Sequence, residues 1–136
     1  MLPQPYLSGK ITMENERYEQ GKKLLAEING KNADALVESL KDVAPDMHRY
    51  VFEFAYGDIY SRPGLDVKSR ELATVAALTV LGYEWELKAH IDAALNTGWT
   101  KKEIVEAIMQ MAVYAGFPAA LNGLHAADEV FKRRGL

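Results

Sequence analysis

Residues 66–98 read DVKSRELATVAALTVLGYEWELKAHIDAALNTG and contain two predicted helices separated by a glycine. Asp66 is placed to cap the first helix, Gly82 ends it, and Gly98 ends the second. The first helix is apolar nearly all round, which is typical of a helix in the centre of a core or in a subunit interface. This stretch therefore predicts a helix pair joined by a short turn.

Helical periodicity also marks the rest of the chain, and no segment alternates as a strand does. Thr100 and Glu103 form a capping box that predicts another helix start, and Gly30 is expected to stop the first helix in the left-handed conformation. Pro45 is expected to open a helix whose apolar stripe consists of Met47, Tyr50, Val51, Phe54 and Ala55. We predict an all-α, single-domain bundle of about six to seven helices with antiparallel neighbours.

Composition limits the class of protein. The 16 Lys and Arg against 19 Asp and Glu give a net charge of −3 without a basic cluster, so nucleic acid is not an expected partner. The longest apolar run, 111–121, is far short of the roughly 20 residues that span a membrane. The absence of Cys excludes disulfides, thiolate zinc sites and sulfur-based catalysis. We expect a soluble cytoplasmic protein with no membrane partner.

The first ten residues, MLPQPYLSGK, contain two prolines, a glycine and no apolar segment of the signal-peptide type. We predict a flexible leader over residues 1–10 and a single domain over residues 11–136.

Without Cys, the candidate proton carriers are His48, His90 and His125. His48 is expected on the surface. Glu86 lies one turn before His90 and would orient its ring, although a boundary histidine beside a surface glutamate explains the same spacing. The same two interpretations, a proton carrier or a histidine at the border of the core, apply to His125. The three histidines lack the spacing of a metal site, and no metal is predicted.

A carboxylate and two arginines precede this region. Glu71 follows Arg70 in a helix that is otherwise nearly all apolar, so it lies either in the core with a partner or on a narrow polar strip. Arg62 and Arg70 flank a Pro-Gly turn and have the geometry to bind a carboxylate. Either arginine would serve equally well as a structural pin for that turn.

Four segments form a longer pattern that runs in order through the chain: RYEQG at 17–21, FAYGDIYSRPGL at 54–65, Gly82 followed by Glu86-Leu87 and His90, and YAGFPAA at 114–120. Over about residues 16–131 the chain resembles the carboxymuconolactone decarboxylase family. The resemblance implies the alkylhydroperoxidase-D-like fold, with compact helical subunits assembled as homo-oligomers, commonly hexamers.

The thiol-peroxidase branch of that fold has a Glu, eleven residues, CxxC, three residues and a His. Counting from Glu71 places the two cysteine positions at Tyr83 and Glu86 and the histidine at His90. Because both sulfurs are missing, a disulfide-cycling peroxidase is not expected.

The decarboxylase branch converts γ-carboxymuconolactone to the β-ketoadipate enol-lactone in aromatic-compound catabolism, without cysteine or cofactor. The resemblance implies that a small-molecule carboxylate is the substrate and that His90 or His125 donates the proton. Glu86 would orient His90, and Glu71 would join the catalytic residues. Arg62, Arg70 and Tyr83 would bind the substrate, although the branch more usually has an arginine at position 83. The alternative is a non-catalytic oligomeric member that binds a small acid or another protein.

Overall fold

A computed structural model describes the backbone from Gln4 and the side chains from Glu16 to the C-terminus. The helices are α1 (Gln4–Leu40), α2 (Met47–Tyr50), a π-helix (Val51–Tyr60), α3 (Val67–Leu81), α4 (Glu84–Asn96), α5 (Lys101–Gln110), α6 (Ala112–Ala115) and α7 (Phe117–Arg133). No strand occurs among residues 4–136, so the predicted all-α class is confirmed. The predicted leader over 1–10 begins outside the described residues and stays a prediction.

The chain divides into two compact units, one ending at Gly64 and the other beginning at Leu65. In the first unit, α1 and the π-helix are in backbone contact through two glycines. A Cβ atom on Gly21 would lie 1.7 Å from the carbonyl oxygen of Phe52, and one on Gly57 would lie 2.7 Å from that of Arg17. Only residues without a side chain allow this close approach.

The interruption of α1 lies at Asn29, whose φ of −162° and ψ of 81° are not helical. Its Oδ1 accepts a hydrogen bond from the backbone N–H of Asn32 at 3.4 Å, as the side chain of a helix N-cap does. The predicted left-handed stop at Gly30 is wrong, because Gly30 is not among the positive-φ glycines. The break therefore comes from the cap of the following helical segment.

The π-helix changes which side chains face inward. Phe52 and Tyr56 are buried, whereas Phe54, which was expected in the apolar stripe, is 61% exposed. Met47 and Tyr50 of the same predicted stripe are also exposed, so that prediction is wrong. For Phe54 the reason is the i→i+5 hydrogen bonding of the π-helix, which places inward positions out of phase with an α-helical stripe. Met47 and Tyr50 lie before it in α2, a single turn that buries none of its residues.

His48 was expected on the surface, but its ring is half-buried between two aromatic rings of the first unit. Its centroid lies 6.0 Å from that of Tyr18 and 5.5 Å from that of Phe52, both in edge-on geometry. His48 is thus a packing residue of the first unit.

The second unit has its own apolar core, contributed by α3, α4, α5 and α7. The core residues are Val75, Leu87, Ile91, Ala94, Ile104, Ile108, Ala126, Ala127, Val130 and Phe131. In the second unit, three predicted helix ends lie where the capping residues and the glycine placed them. Asp66 accepts from the backbone N–H of Ser69 at 2.7 Å, Gly82 ends α3 with a φ of 75°, and both hydrogen bonds of the Thr100–Glu103 capping box are present. These predicted ends are confirmed.

None of the helices in the described part of the chain has an apolar stretch of the length needed to cross a membrane.

Candidate active site

The candidate site is built on the face that α3 turns toward the core. Glu71, Val75 and Thr79 follow one another at four-residue spacing and are all buried on that face. Val75 and Thr79 pack as ordinary core residues, whereas Glu71 carries a carboxylate to the same depth with 0% exposure. A buried carboxylate requires a polar partner, because its desolvation is costly.

That partner is His90 on α4. Its Nδ1 atom lies 2.8 Å from Oε2 of Glu71, a hydrogen bond between residues 19 positions apart in the chain. The His90 side chain is 21% exposed, so the ring lies at the border between core and surface. Because Nδ1 is engaged by Glu71, Nε2 is the ring nitrogen that remains for a ligand. We call Glu71 and His90 the dyad.

The second oxygen of Glu71, Oε1, is buried and has no hydrogen-bond partner. Among the residues whose side chains are described, His90 is the one cationic or titratable group within ion-pair distance of this carboxylate. The same part of the chain contains no group of three or more His, Asp or Glu side chains that would hold a metal ion. The dyad can therefore orient a histidine and move a proton through it.

Glu86 does not have the predicted role beside His90. It is exposed on α4, and the carboxylate that engages Nδ1 is that of Glu71. Residues one turn apart on a helix are neighbours on its surface, but Glu71 reaches the ring from the adjacent helix α3 and from the buried side. The i,i+4 spacing along α4 favoured Glu86, whereas the hydrogen bond to Nδ1 comes from Glu71, the glutamate that the peroxidase spacing places with His90.

His125 and Tyr83 are not joined to the dyad by any hydrogen bond of the described side chains. His125 is exposed on α7. Tyr83 precedes α4, is 54% exposed, and donates its backbone N–H to the carbonyl of Leu78 at 3.2 Å. Both side chains thus lie on the surface of the second unit.

The two arginines have different positions. Arg70 is half-buried in the first turn of α3, where its Nε donates to the carbonyl of Leu65 at 3.1 Å. This hydrogen bond fits one of the two roles predicted for Arg70, that of a structural pin for the Pro-Gly turn. Arg62 is exposed at the end of the first unit, and its backbone N–H donates to the carbonyl of Ile59 at 3.1 Å.

Comparison with known proteins identifies the family. Residues 45–129 match the model of the carboxymuconolactone decarboxylase family. The chain is 40% identical over 124 residues to a 4-carboxymuconolactone decarboxylase of Acinetobacter baylyi, covering 90% of this chain and 92% of that protein. It is 35% identical over 97 residues to an uncharacterized 15.0 kDa protein of Paracoccus denitrificans, covering 70% and 72%.

A further relative is a nitrosuccinic acid decarboxylase of Metarhizium robertsii, 30% identical over 110 residues, which cover 79% of this chain and 76% of that protein. The family match spans more than half of the chain and includes both members of the dyad. The chain therefore belongs to the carboxymuconolactone decarboxylase family.

Proposed function

We propose that the protein is a cofactor-independent carboxy-lyase that acts on γ-carboxymuconolactone or a related carboxylated lactone in aromatic-compound catabolism. The observation that carries this proposal is the dyad, in which buried Glu71 holds His90 at the surface of the second unit. Two relatives at 40% and 30% identity are named as decarboxylases, which supports the same reaction class.

The chemistry needs little from the protein. When CO₂ leaves the lactone, the electron pair delocalises through the ring double bond into the lactone carbonyl and forms a dienolate. Nitrosuccinic acid likewise has an electron-withdrawing group, its nitro group, to accept such a pair. The remaining requirements are a binding site, stabilisation of the anion and one proton. In our proposal, Nε2 of His90 supplies that proton, a contribution typically worth about 10²- to 10⁴-fold in rate.

The other assignments rest on resemblance and position. Arg70 and Arg62 are proposed to bind substrate carboxylates, because guanidinium groups form paired hydrogen bonds with them. Tyr83 would add a hydrogen bond, but a phenol brings no positive charge to a position where the decarboxylase branch more usually has arginine. This difference is why the proposal includes related lactones. His125 is the rival proton donor, and Glu86 keeps no role in the mechanism.

Homo-oligomer formation, as a hexamer, also remains a proposal, as does a cytoplasmic location. In its support, the end of α5, α6 and the start of α7 carry large apolar side chains that are at least half exposed: Met109, Val113, Tyr114, Phe117 and Leu121. A large exposed apolar patch marks an interaction site on many soluble proteins. A homo-oligomer would cover it.

The second candidate is a non-catalytic oligomeric member that binds a small acid or another protein. The uncharged and 54% exposed Tyr83 favours it, because a site without that arginine holds a polycarboxylate less strongly. The buried dyad counts against it, since a binding scaffold has no need of a desolvated proton-transfer pair. Thiol peroxidase activity is not proposed, because the chain contains no Cys.

The test is the ultraviolet absorbance of enzymatically generated γ-carboxymuconolactone mixed with the purified protein, beside a protein-free control for spontaneous decarboxylation. The proposal expects turnover above that control. Absence of turnover at high protein concentration, with this lactone and with related carboxylated lactones, would reject the lyase in favour of the binding role. The His125→Gln variant separates the two proton donors, because it is expected to keep turnover if His90 donates.

A further inference from the structure

Glu71 has fewer hydrogen-bond donors than an ionised carboxylate needs. The residue is 0% exposed, Oε2 lies 2.8 Å from His90, and Oε1 is buried without a partner. A carboxylate offers about four acceptor positions and is stable in a protein interior when donors or cations fill them. In the described part of the chain, the ring nitrogen Nδ1 of His90 is the one hydrogen-bond partner of the Glu71 carboxyl group.

The charged groups near the dyad do not change this balance. Arg70 directly precedes Glu71 in the sequence, but the side chains of successive helical residues point in different directions. The Nε atom of Arg70 donates a hydrogen bond to the carbonyl of Leu65. On α4, Lys88 is paired with Glu84 and with Glu129 of α7. No lysine or arginine with a described side chain forms an ion pair with Glu71.

Two arrangements of the dyad contain the same two protons. In the first, Glu71 is ionised and His90 is a full imidazolium cation. In the second, Glu71 is a neutral acid that donates from Oε2 to Nδ1, and the neutral ring has its hydrogen on Nε2. The first arrangement leaves a negative oxygen buried without a donor, whereas the second leaves only a weak carbonyl acceptor there.

We infer that the resting dyad is the neutral pair, and that Glu71 stores the proton that His90 transfers. The consequence for catalysis rests on the proposed function, but the protonation of the dyad does not. Glu71 does not touch the substrate in this scheme. It acts through His90 and is a positioning residue that also holds a proton.

The transfer balances as follows. The C–H bond forms between the dienolate carbon and the hydrogen on Nε2, while the proton on Oε2 of Glu71 moves to Nδ1. The negative charge of the dienolate ends on Glu71, and Nε2 is left with a free electron pair. Uptake of one proton from the solvent at Nε2, followed by return of the Nδ1 proton to Oε2, restores the neutral pair, so each turnover consumes the one proton that replaces CO₂ on the carbon. No oxidant, reductant or cofactor enters the cycle.

The direct test is NMR of the resting protein at neutral pH, without substrate, with ¹⁵N-labelled histidine and ¹³C-labelled glutamate. The His90→Gln and Glu71→Gln variants assign the signals. We expect Nδ1 of His90 to have the shift of an unprotonated acceptor, Nε2 that of an N–H, and the Glu71 carboxyl carbon that of a neutral acid. An imidazolium ring, or a ring protonated at Nδ1 alone, together with an ionised carboxylate, would overturn the inference.

Glu71→Gln gives a second readout that a purely structural role would not change. The amide of glutamine can donate to Nδ1 and hold the same ring orientation, but it cannot release a proton. We expect turnover to fall by about 10²-fold or more while KM changes little. Near-normal turnover in Glu71→Gln would reduce Glu71 to an orienting side chain.

The two proposals can fail separately. A wild-type protein with the neutral-pair NMR signature but without lactone turnover would retain the inference and lose the proposed function. An active wild-type protein with an ionised Glu71 would do the reverse.

Discussion

Among the residues whose side chains are described, each of the two units buries one glutamate, and the partners of these two carboxylates differ. Glu53 in the π-helix is 5% exposed and lies between two arginines, with Oε2 at 3.8 Å from Arg17 and Oε1 at 3.5 Å from Arg49. Glu71 in α3 is 0% exposed, and among the described side chains its one hydrogen-bond partner is the ring of His90. Arginine is permanently charged, so it neutralises Glu53 without ever exchanging a proton with it.

The different partners of Glu53 and Glu71 indicate different roles for the two carboxylates. A carboxylate held by arginines has a fixed charge and fastens helices together. A carboxylate held by a histidine is hydrogen-bonded to a ring that can both accept and donate a proton. The buried glutamate of the first unit is therefore part of an ion-pair network, whereas that of the second unit has the partner that our proposed proton transfer requires.

The largest effect on stability is expected for Gly21→Ala in the first unit. The new Cβ would lie 1.7 Å from a backbone oxygen of Phe52, and backbone cannot move aside as a side chain can. We expect a loss of more than about 4 kcal/mol, or failure to fold, as seen by circular dichroism and urea denaturation.

Gly123→Ala is its counterpart in the second unit. There the new Cβ would lie 2.9 Å from side-chain methyl groups of Ile108 and Thr79, which can shift. The expected loss is about 1 to 3 kcal/mol. A loss equal to that of Gly21→Ala would contradict this distinction.

A smaller effect on stability is expected when each of the two buried glutamates is replaced by glutamine. Glu53→Gln removes the negative charge that faces Arg17 and Arg49, and both arginines are nearly half exposed to water. We expect the free energy of unfolding at neutral pH to fall by about 1 to 2 kcal/mol. With the neutral pair that we infer, Glu71→Gln should cost less, because an uncharged acid would be replaced by an amide of the same shape. A larger cost for Glu71→Gln in urea denaturation would mean that Glu71 carries a stabilising charge.

The smallest effect is a pH dependence at the surface of the first unit. The hydrogen bonds from Arg17 lower the pKa of Asp58 below its ordinary value of 3.8, so the folded state favours ionised Asp58. Its contribution to stability is present above that value and is lost as the pH falls through the lower pKa of the folded state. Thermal unfolding should show the wild-type protein slightly more stable than Asp58→Asn at neutral pH. That advantage should vanish in acid, and a constant difference would contradict the assignment.

Local signals made much of the fold predictable. The capping residues Asp66 and Thr100 and the terminal Gly82 act within one turn, so their pattern in the sequence sets the ends of α3 and the start of α5. The break at Asn29 was misread because Asn and Gly are both frequent at helix ends, and the side-chain cap decided the position.

The π-helix and the dyad were harder to predict. The i→i+5 bonding of residues 51–60 has no signal in hydrophobic spacing, and its packing against α1 selects the inward face. In the dyad, spacing along one helix favoured Glu86, whereas the hydrogen bond comes from Glu71 on a neighbouring helix, 19 residues away. Contacts between helices follow from tertiary packing, which a one-turn rule does not contain.

The central claim is that His90 transfers the proton in a decarboxylation. The most direct measurement is the rate of lactone decarboxylation by wild-type protein, His90→Gln and the matched control His48→Gln, whose ring packs between Tyr18 and Phe52 in the first unit. We predict that His90→Gln loses about 10²- to 10⁴-fold in turnover with its helical content unchanged, and that His48→Gln remains active. A folded His90→Gln protein with wild-type turnover would contradict the account.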